Sequence, residues 1–263
     1  MDDPLYQRLL DSLDDLEQTA VAFSGGADSG LLLAAAAEAC AGRVVALTAV
    51  APFMVRQEVS DAVAFAAGLG IRHELVELPI PAAMGDNPPE RCYHCKHALY
   101  ELLIATADRL GFGTVLDGTN LDDMQDYRPG LRALTELGVR TPLVDCGIGK
   151  ADVRRLSQAV GLSTWDKATN TCLLTRLPFG TPFSMPMLQR IEEAERLLIA
   201  RGFESVRVRA HGPLARIEVA PAQRERALRE GYALVAALKS LGFEYVALDL
   251  EGYQLGSMNA PGG

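Results

Sequence analysis

The sequence predicts an α/β fold in which a parallel sheet is covered by helices on both faces, followed by a smaller C-terminal α+β domain. Short apolar runs alternate with helical patterns through the first half of the chain, which is typical of a parallel sheet. Helical and strand patterns resume near the C-terminal end, after a stretch with little periodicity. We therefore divide the chain into a main domain (1–163), a connecting segment (164–183) and a smaller domain (184–263).

The expected elements follow this division. In the main domain we expect helices at 5–16, 28–40, 56–67, 95–110 and 151–160, and strands at 19–23, 44–50, 73–78 and 114–116. In the smaller domain we expect helices at 186–201 and 222–241, and strands at 205–209, 215–219 and 244–250. The segment 164–183 is long for an unstructured connection in a compact domain, which predicts that it has a function. Trp165 and the leucines at 31–33 are assigned to the core.

The composition is that of a globular protein, with 49% hydrophobic and 22% charged residues. A formal net charge of −9, without runs of Lys or Arg, argues against a nucleic acid partner. The sequence contains no apolar run of membrane-spanning length, and its acidic start is unlike a signal peptide. We expect a cytoplasmic protein, and a homo-oligomer is compatible with the sequence.

Five cysteines are present, and they divide into two groups. Their odd number, without an export signal, argues against a disulfide framework. Cys40 lies among apolar helical residues and Cys146 follows an apolar stretch, so both are predicted to be packed in the core. Cys92, Cys95 and Cys172 are the candidates for chemistry.

A glycine-rich segment connects the first predicted strand to the next helix. Its sequence is Ser24-Gly25-Gly26-Ala27-Asp28-Ser29. Glycines let the backbone approach an anion closely, and a helix N-terminus presents N–H groups and the positive end of the helix dipole. The Gly-Lys-Ser/Thr ending of a Walker A loop is absent. An ordinary capped turn shares some of these features, but the full pattern favours binding of a phosphate chain.

The three candidate cysteines have the character of metal ligands or nucleophiles. Cys92 and Cys95 form a CxxC motif directly before the predicted helix 95–110, and Cys172 lies in the connecting segment. Thiolates near a helix N-terminus have a lowered pKa. Three thiolates can hold a [4Fe–4S] cluster and leave one iron open. A structural zinc site needs four ligands, and His94 or His97 would have to supply the fourth. Ordinary unreactive thiols are the simplest alternative.

Longer stretches around these motifs resemble the LarE family, and the similarity covers nearly the whole chain. The stretches are NPPERCYHCK at 87–96, DGTNLDD at 117–123, DYRPG at 126–130, CLLTRLPFG at 172–180, VRVR at 206–209 and RIEV at 216–219. LarE proteins thiolate the small molecule pyridinium-3,5-biscarboxylic acid mononucleotide, a step in making the nickel-pincer nucleotide cofactor. They belong to the pyrophosphatase-loop enzymes of the adenine nucleotide α-hydrolase-like superfamily, which have a Rossmann-like ATP domain.

The resemblance implies an ATP-dependent sulfurtransferase. The pyrophosphate of ATP would be held by Ser24, Gly25, Gly26, Asp28 and Ser29, and Asp28 would also help to hold Mg²⁺. A substrate carboxylate would receive AMP, pyrophosphate would leave, and sulfur would then replace the activated oxygen.

Two branches of the family differ in their source of sulfur. One branch gives up the sulfur of a single cysteine, whose position Cys172 matches. The other carries two more cysteines, matched here by Cys92 and Cys95, and is thought to use a [4Fe–4S] cluster. We favour the cluster branch with these three ligands, and sacrificial donation by Cys172 is the alternative.

Asp117, Gly118 and Asn120 follow strand 114–116, at the carboxyl edge of the sheet where ligands of open α/β folds bind. A simple Asp-Gly turn is the alternative, and the resemblance favours a nucleotide site. Asp126, Tyr127 and Arg128 are expected at the same edge, in contact with substrate or ATP. Lys96 and Arg176 are candidates for stabilising thiolates or the adenylate, or are simply solvated.

Charged residues of the smaller domain are candidates for the substrate site. Arg207 and Arg209 alternate along a strand, so they share a face and can bind phosphate or carboxylate. A solvated strand face is the alternative. The resemblance further implies that Glu195 and Glu218 contribute to a metal or substrate site, although an exposed glutamate is the default interpretation for Glu195.

Three other functions fit parts of the pattern. Relatives of the phosphate loop also make amides, so an amidotransferase resembling NAD synthetase is the nearest alternative. A tRNA thiolase is disfavoured by the acidic charge. An ATP-binding sensor or cluster-storage protein without turnover is the alternative outside the enzymes.

Overall fold

The computed structural model describes residues 3–40, 42–125, 129–167 and 171–254. The chain divides into two compact units. The first comprises Met1–Met84 and Glu90–Asn170, and the second comprises Gly85–Pro89 and Thr171–Gly263. The short segment Gly85–Pro89 thus packs with residues far along the chain.

The first unit is an α/β fold built on a parallel sheet. Its helices are α1 (Pro4–Asp14), α2 (Ala27–Ala39), α3 (Arg56–Gly68), α4 (Arg91–Leu110), α5 (Pro129–Glu136), α6 (Pro142–Asp145) and α7 (Lys150–Ala159). Its strands are β1 (Thr19–Ala22), β2 (Val44–Val50), β3 (Arg72–Glu77) and β4 (Thr114–Asp117), and 3₁₀ turns lie at Ala82–Met84 and Leu121–Gln125. The strand order is β3-β2-β1-β4 and all three pairings are parallel. The predicted parallel α/β sheet is confirmed.

Successive residues of β1 belong to different apolar cores, because side chains alternate across a strand. Val21 packs in a cluster with α1, α2 and α7, which contains the predicted core residues Leu31, Leu32 and Leu33. Ala20 packs in a second cluster with side chains of α4. Both faces of the sheet are therefore covered, which explains why its inner strands are mostly apolar and almost entirely buried.

Three local predictions are wrong. Helix α4 begins at Arg91 rather than at residue 95, so the CxxC motif lies inside the helix, within its first two turns. The predicted helix 222–241 is interrupted at Glu230, where one helix ends and the next begins. Trp165, expected in the core, is 37% exposed.

The second unit contains a three-stranded sheet and helices. Its helices are α8 (Met185–Ala200), α9 (Arg224–Arg229) and α10 (Gly231–Ser240), its strands are β5 (Arg207–His211), β6 (Leu214–Glu218) and β7 (Tyr245–Leu248), and 3₁₀ turns lie at Leu173–Arg176 and Pro221–Gln223. β6 pairs antiparallel with β5 and parallel with β7. Apolar side chains from the strands and helices, such as Val208, Ile217 and Leu238, are fully buried. Within the described part of the chain, no helix combines the length and apolarity needed to cross a bilayer.

Candidate functional site

The glycine-rich segment, residues 24–29, forms a tight turn between β1 and α2, and we call it the phosphate loop. Gly25 has a φ of +76°, a conformation that side chains disfavour. The Ser29 hydroxyl accepts a 3.2 Å hydrogen bond from the backbone N–H of Ser24 and lies 3.0 Å from the Ser24 hydroxyl. Helix α2 has glycine, Gly26, at its N-cap, so no capping side chain covers its first N–H groups. This preformed turn has the geometry of an anion site.

Asp28 and Asn120 come together beside the phosphate loop. The Asn120 amide donates a 3.0 Å hydrogen bond to Asp28. Burial raises the pKa of the Asp28 carboxyl and the charge of Asp123 raises it further, whereas Asn120 and Lys150 act in the opposite direction. Lys150 forms a 3.1 Å ion pair with Asp123. A buried carboxylate is stabilised in its ionised form by a divalent cation, so the Asp28 carboxylate fits Mg²⁺.

Asp117 is buried at the end of β4 and is surrounded by donors. It accepts hydrogen bonds from the Tyr100 hydroxyl and from the backbone N–H and hydroxyl of Thr119, and its carboxylate lies 3.4 Å from the Lys96 ammonium. Burial alone would raise the pKa of Asp117, but Lys96 and these hydrogen bonds outweigh it and lower the pKa. The carboxylate therefore organises the start of the following turn.

Gly118 brings this turn directly against the phosphate loop. A Cβ atom at Gly118 would lie 2.8 Å from the backbone N and Cα of Ser29. Only glycine permits this approach without a shift of the loop. Of the predicted nucleotide-site residues, the structure thus brings Gly118 and Asn120 together with the phosphate loop, which contains Asp28.

Cys92 and Cys95 lie in the first two turns of α4 at positions i and i+3, so they share one face of the helix. Cys92 is exposed and Cys95 is partly exposed. An i, i+3 spacing on one helix face is compatible with two thiolates that bind one metal cluster. Cys40 and Cys146 are buried, as expected for core residues.

Cys172 belongs to the second unit, where a buried arginine organises its backbone. One guanidinium nitrogen of Arg176 donates to the carbonyl oxygens of Thr171 and Cys172, at 2.8 Å and 3.1 Å. The guanidinium also makes a bidentate pair with Glu195, with both distances 2.9 Å. Arg176 is fully buried, so its interpretation as a solvated residue is wrong. Glu195 is buried as well, and its interpretation as an exposed helix residue is also wrong.

The loop after Cys172 is held by Asn87. The side-chain amide of Asn87 donates to the carbonyl oxygens of Leu177 and Pro178, at 3.3 Å and 2.9 Å, and the backbone carbonyl oxygen of Asn87 accepts from the Gly180 N–H at 3.1 Å. Asn87 is fully buried and adopts a positive φ of 48°. Sequence analysis identified the motif around Asn87 but gave no role to this residue.

Arg207 and Arg209 lie on β5, and both are buried rather than on a solvated face. Arg209 makes a bidentate pair with Glu218, at 2.9 Å and 2.8 Å. The Arg207 guanidinium stacks over the Tyr253 ring at 5.0 Å. Burial lowers the pKa of Arg207, and the nearby charge of Arg176 lowers it further. The charge of Glu195 acts in the opposite direction, so Arg207 has both cationic and anionic neighbours.

Five further residues were predicted to belong to the site. Asp126, Tyr127 and Arg128 lie outside the described residues. Glu195 and Glu218, predicted as metal or substrate ligands, are each paired with arginine. Within residues 3–40, 42–125, 129–167 and 171–254, no group of three or more His, Cys, Asp or Glu side chains is arranged to hold a metal ion.

Sequence analysis missed Lys167 and Tyr100, which contact the phosphate loop and Asp117, respectively. Tyr100 lies four residues after Lys96 in a helical pattern, so the shared helix face was a usable signal. For Lys167 the sequence gives no signal, because the residue lies outside any periodic segment.

Comparisons with known proteins match almost the full length of the chain. It is 36% identical over 255 residues to the pyridinium-3,5-bisthiocarboxylic acid mononucleotide synthase of Lactiplantibacillus plantarum, covering 95% of this chain and 92% of that protein. It is 42% identical over 250 residues to an uncharacterized protein of Synechocystis sp., covering 93% of each chain. It is 31% identical over 234 residues to an uncharacterized protein of Methanocaldococcus jannaschii, covering 89% of this chain and 90% of that protein. No protein-family profile matches the chain.

Proposed function

The chain belongs to the LarE family of pyridinium-3,5-bisthiocarboxylic acid mononucleotide synthases, and we propose that it is an ATP-dependent sulfurtransferase of nickel-pincer cofactor biosynthesis. In this proposal the enzyme transfers AMP to a carboxylate of pyridinium-3,5-biscarboxylic acid mononucleotide and releases pyrophosphate. Sulfur then replaces the activated oxygen, AMP leaves, and a thiocarboxylate is formed. Activation is needed because a carboxylate oxygen is a poor leaving group until it is esterified to phosphate.

The observation that carries this proposal is the phosphate loop. Its positive-φ glycine, its paired serine hydroxyls and the uncapped start of α2 form a compact donor set at the carboxyl edge of a parallel sheet. We assign this site to the pyrophosphate of ATP, in a Rossmann-like domain of the adenine nucleotide α-hydrolase-like type. Since the loop lacks a Walker A lysine, we propose nucleotidyl transfer rather than transfer of the γ-phosphoryl group.

Asp28 supplies the anionic oxygen for the magnesium ion that accompanies ATP. The raised pKa of Asp28 shows that its charge is poorly compensated by the protein itself. A bound Mg²⁺ would compensate this charge and the charges of the phosphate oxygens. Asn120 orients the carboxylate through its hydrogen bond.

The second unit contributes binding of the substrate anion in this proposal. Arg207, a guanidinium on the buried face of β5, is our candidate for binding the substrate phosphate or second carboxylate. Arg209 and Arg176 are paired with carboxylates and hold the strand and the backbone at Cys172 in place. We retain the division into an ATP domain (1–163), a segment that carries Cys172 (164–183) and a smaller α+β domain (184–263).

For the sulfur source we propose the three cysteines, and favour a [4Fe–4S] cluster with Cys92, Cys95 and Cys172 as ligands. The i, i+3 spacing of Cys92 and Cys95 on α4, and their exposure, support two of these ligands. When bound, such a cluster would supply a sulfide on its open iron. Donation of the Cys172 sulfur itself is the alternative chemistry.

The proposal is tested by turnover under anaerobic conditions. The purified protein is incubated with Mg·ATP, the mononucleotide and sulfide, and the nucleotide and pyridinium products are analysed by chromatography and mass spectrometry. We expect AMP, pyrophosphate and a product that has exchanged oxygen for sulfur. Formation of ADP and orthophosphate would contradict the proposal, and a requirement for ammonia would identify an amide synthetase.

A second assay separates the two sulfur sources. Iron and acid-labile sulfide are measured in the wild type and in Cys92→Ala, with Cys40→Ala as the buried control. A cluster predicts iron in the wild type and in the control, and its loss in Cys92→Ala. An iron-free active enzyme that loses the mass of H₂S after turnover would instead establish donation by Cys172.

A further inference from the structure

Lys167 contacts the phosphate loop from the side of α3. Its ammonium donates a 3.1 Å hydrogen bond to the backbone carbonyl of Gly25 and a 3.0 Å hydrogen bond to Asp61, and it lies 2.8 Å from Glu58. An ammonium has three donor hydrogens, so these three acceptors match its full capacity. Only 20% of the side chain is exposed. Lys167 therefore ties the loop backbone to two carboxylates of α3.

The bond to Gly25 fixes the orientation of one loop peptide. A trans peptide is planar, and its C=O and N–H groups point in opposite directions. With the Gly25 carbonyl held by Lys167, the N–H of Gly26 must point away from Lys167. Gly26 is the N-cap of α2, so this N–H lies at the anion-binding end of the helix.

The loop also packs against α3 on the side where Lys167 lies. A Cβ atom at Gly25 would lie 3.2 Å from the Ala62 Cβ and from the Glu58 carbonyl oxygen. The loop is thus in close contact with α3 where Lys167 binds it. Without the ammonium, the positive-φ peptide would lose the partner of its carbonyl oxygen and could rotate.

We propose that Lys167 is a positioning residue for nucleotide binding, which holds the Gly25–Gly26 peptide so that the Gly26 N–H faces the pyrophosphate of ATP. This inference rests on the proposed function, because it takes ATP as the ligand of the phosphate loop. Lys167 acts through the loop backbone and not by contact with ATP.

A purely electrostatic role for Lys167 makes a different prediction. If Lys167 acted only through its positive charge, removal of the nearby negative charges of Glu58 and Asp61 would strengthen binding of an anion. If Lys167 acts by position, the same change weakens binding, because the carboxylates that hold the ammonium in place are lost.

The experiment measures Mg·ATP affinity by calorimetry and thermal stability in parallel. We expect Lys167→Met to bind about tenfold more weakly than the wild type, as for loss of a hydrogen bond to a charged group. Lys167→Arg, which keeps a charged donor, should restore affinity to within about threefold. The double variant Glu58→Gln/Asp61→Asn should bind about threefold to tenfold more weakly. Lys239→Met, at an exposed position in α10, is the matched control and should bind as the wild type does.

Kinetics provide a readout that a general loss of structure would not give. In Lys167→Met the KM for ATP should rise while kcat at saturating ATP stays near the wild-type value. If Lys167→Met does not fold, the double variant and Lys167→Arg still decide the question.

Two results would overturn the inference while leaving the proposed function intact. These are wild-type affinity in folded Lys167→Met, and tighter ATP binding by Glu58→Gln/Asp61→Asn. Failure of the wild-type protein to bind ATP is a different outcome, which would contradict the proposed function itself.

Discussion

The side-chain amide of Asn120 donates a 3.0 Å hydrogen bond to the carboxylate of Asp28, and this bond joins the turn after β4 to the first turn of α2. The two residues are 92 positions apart in sequence. They meet because β1 and β4 are parallel neighbours, so the segments that follow them emerge at the same edge of the sheet. The bond favours the ionised form of a carboxyl whose burial favours the neutral form.

The opposing effects of burial and of the Asn120 hydrogen bond on the pKa of Asp28 predict how magnesium-dependent ATP binding varies with pH. The pKa of Asp28 is raised, mainly by burial, so protonation begins at a higher pH than for an ordinary carboxyl. Affinity should therefore fall as the pH decreases through this raised pKa. Asn120→Ala removes the hydrogen bond that lowers the pKa of Asp28, and should therefore shift the fall in ATP affinity to higher pH. Calorimetry between about pH 8 and pH 5 measures both curves.

The variant Asp28→Asn is the control for the titration of ATP itself. It lacks the carboxyl, so the pH dependence that remains belongs to the ligand and to other groups. Superimposable curves for the wild type and Asn120→Ala would show that the hydrogen bond does not set the ionisation of Asp28.

Gly118 predicts a steric effect on the phosphate loop. In Gly118→Ala the new methyl group would lie 2.8 Å from two backbone atoms of Ser29, and backbone cannot move aside as a flexible side chain does. We expect a loss of about 1–3 kcal/mol in the free energy of unfolding, together with weaker ATP binding. Gly113→Ala is the control, because a Cβ there meets no atom within 4 Å. Urea unfolding should show Gly113→Ala within about 0.5 kcal/mol of the wild type.

Local patterns were sufficient to predict the parallel sheet and the phosphate loop. The strand 44–50 is predicted to the residue, since it is a buried apolar run with clear boundaries. The start of α4 was misplaced by four residues, because Pro88 and Pro89 made the preceding segment look like a longer loop. The helices α5 and α6 were missed, as both are short and begin at proline.

Contacts between distant segments were not predictable from one sequence. Nothing near Asn87 indicates that its amide holds the carbonyl oxygens of Leu177 and Pro178. Similarly, alternation along β5 predicted that Arg207 and Arg209 share a face, but not that both are buried or that Arg209 pairs with Glu218. Such ion pairs depend on which elements pack together, and local periodicity does not indicate the packing partners of an element.

The buried ion pair between Arg209 and Glu218 predicts that replacing Glu218 destabilises the protein far more than replacing an exposed glutamate. Glu218 is 1% exposed and accepts both bonds of the Arg209 guanidinium. Glu218→Ala leaves a buried guanidinium without this partner and should lower the free energy of unfolding by about 3–5 kcal/mol. Glu225, exposed and 3.8 Å from Arg229, is the control. Glu225→Ala should cost less than about 0.5 kcal/mol, and equal losses in urea unfolding would contradict the argument.

The ion pair between Lys96 and Asp117 predicts a difference in stability between the wild type and Lys96→Met that depends on pH. The pKa of Asp117 is lowered because Lys96 and hydrogen-bond donors outweigh burial. A carboxyl with a lowered pKa in the folded protein contributes stability above its pKa in the unfolded chain. That contribution disappears as the pH falls through the folded-state value. Lys96→Met raises the folded-state pKa of Asp117 and therefore removes part of this contribution at neutral pH.

We expect Lys96→Met to lose about 1–2 kcal/mol of unfolding free energy at neutral pH, between the values for exposed and buried ion pairs. The loss should shrink as the pH is lowered from neutral through the Asp117 pKa of the variant and then through the lower pKa of the wild type, because a protonated Asp117 no longer attracts the ammonium. Methionine keeps the apolar stem that packs beside Gly130, so lost packing contributes little. Urea unfolding of the wild type, Lys96→Met and the exposed control Lys239→Met across this pH range makes the test. A loss for Lys96→Met that is the same at every pH would assign the effect to packing and not to the charge on Asp117.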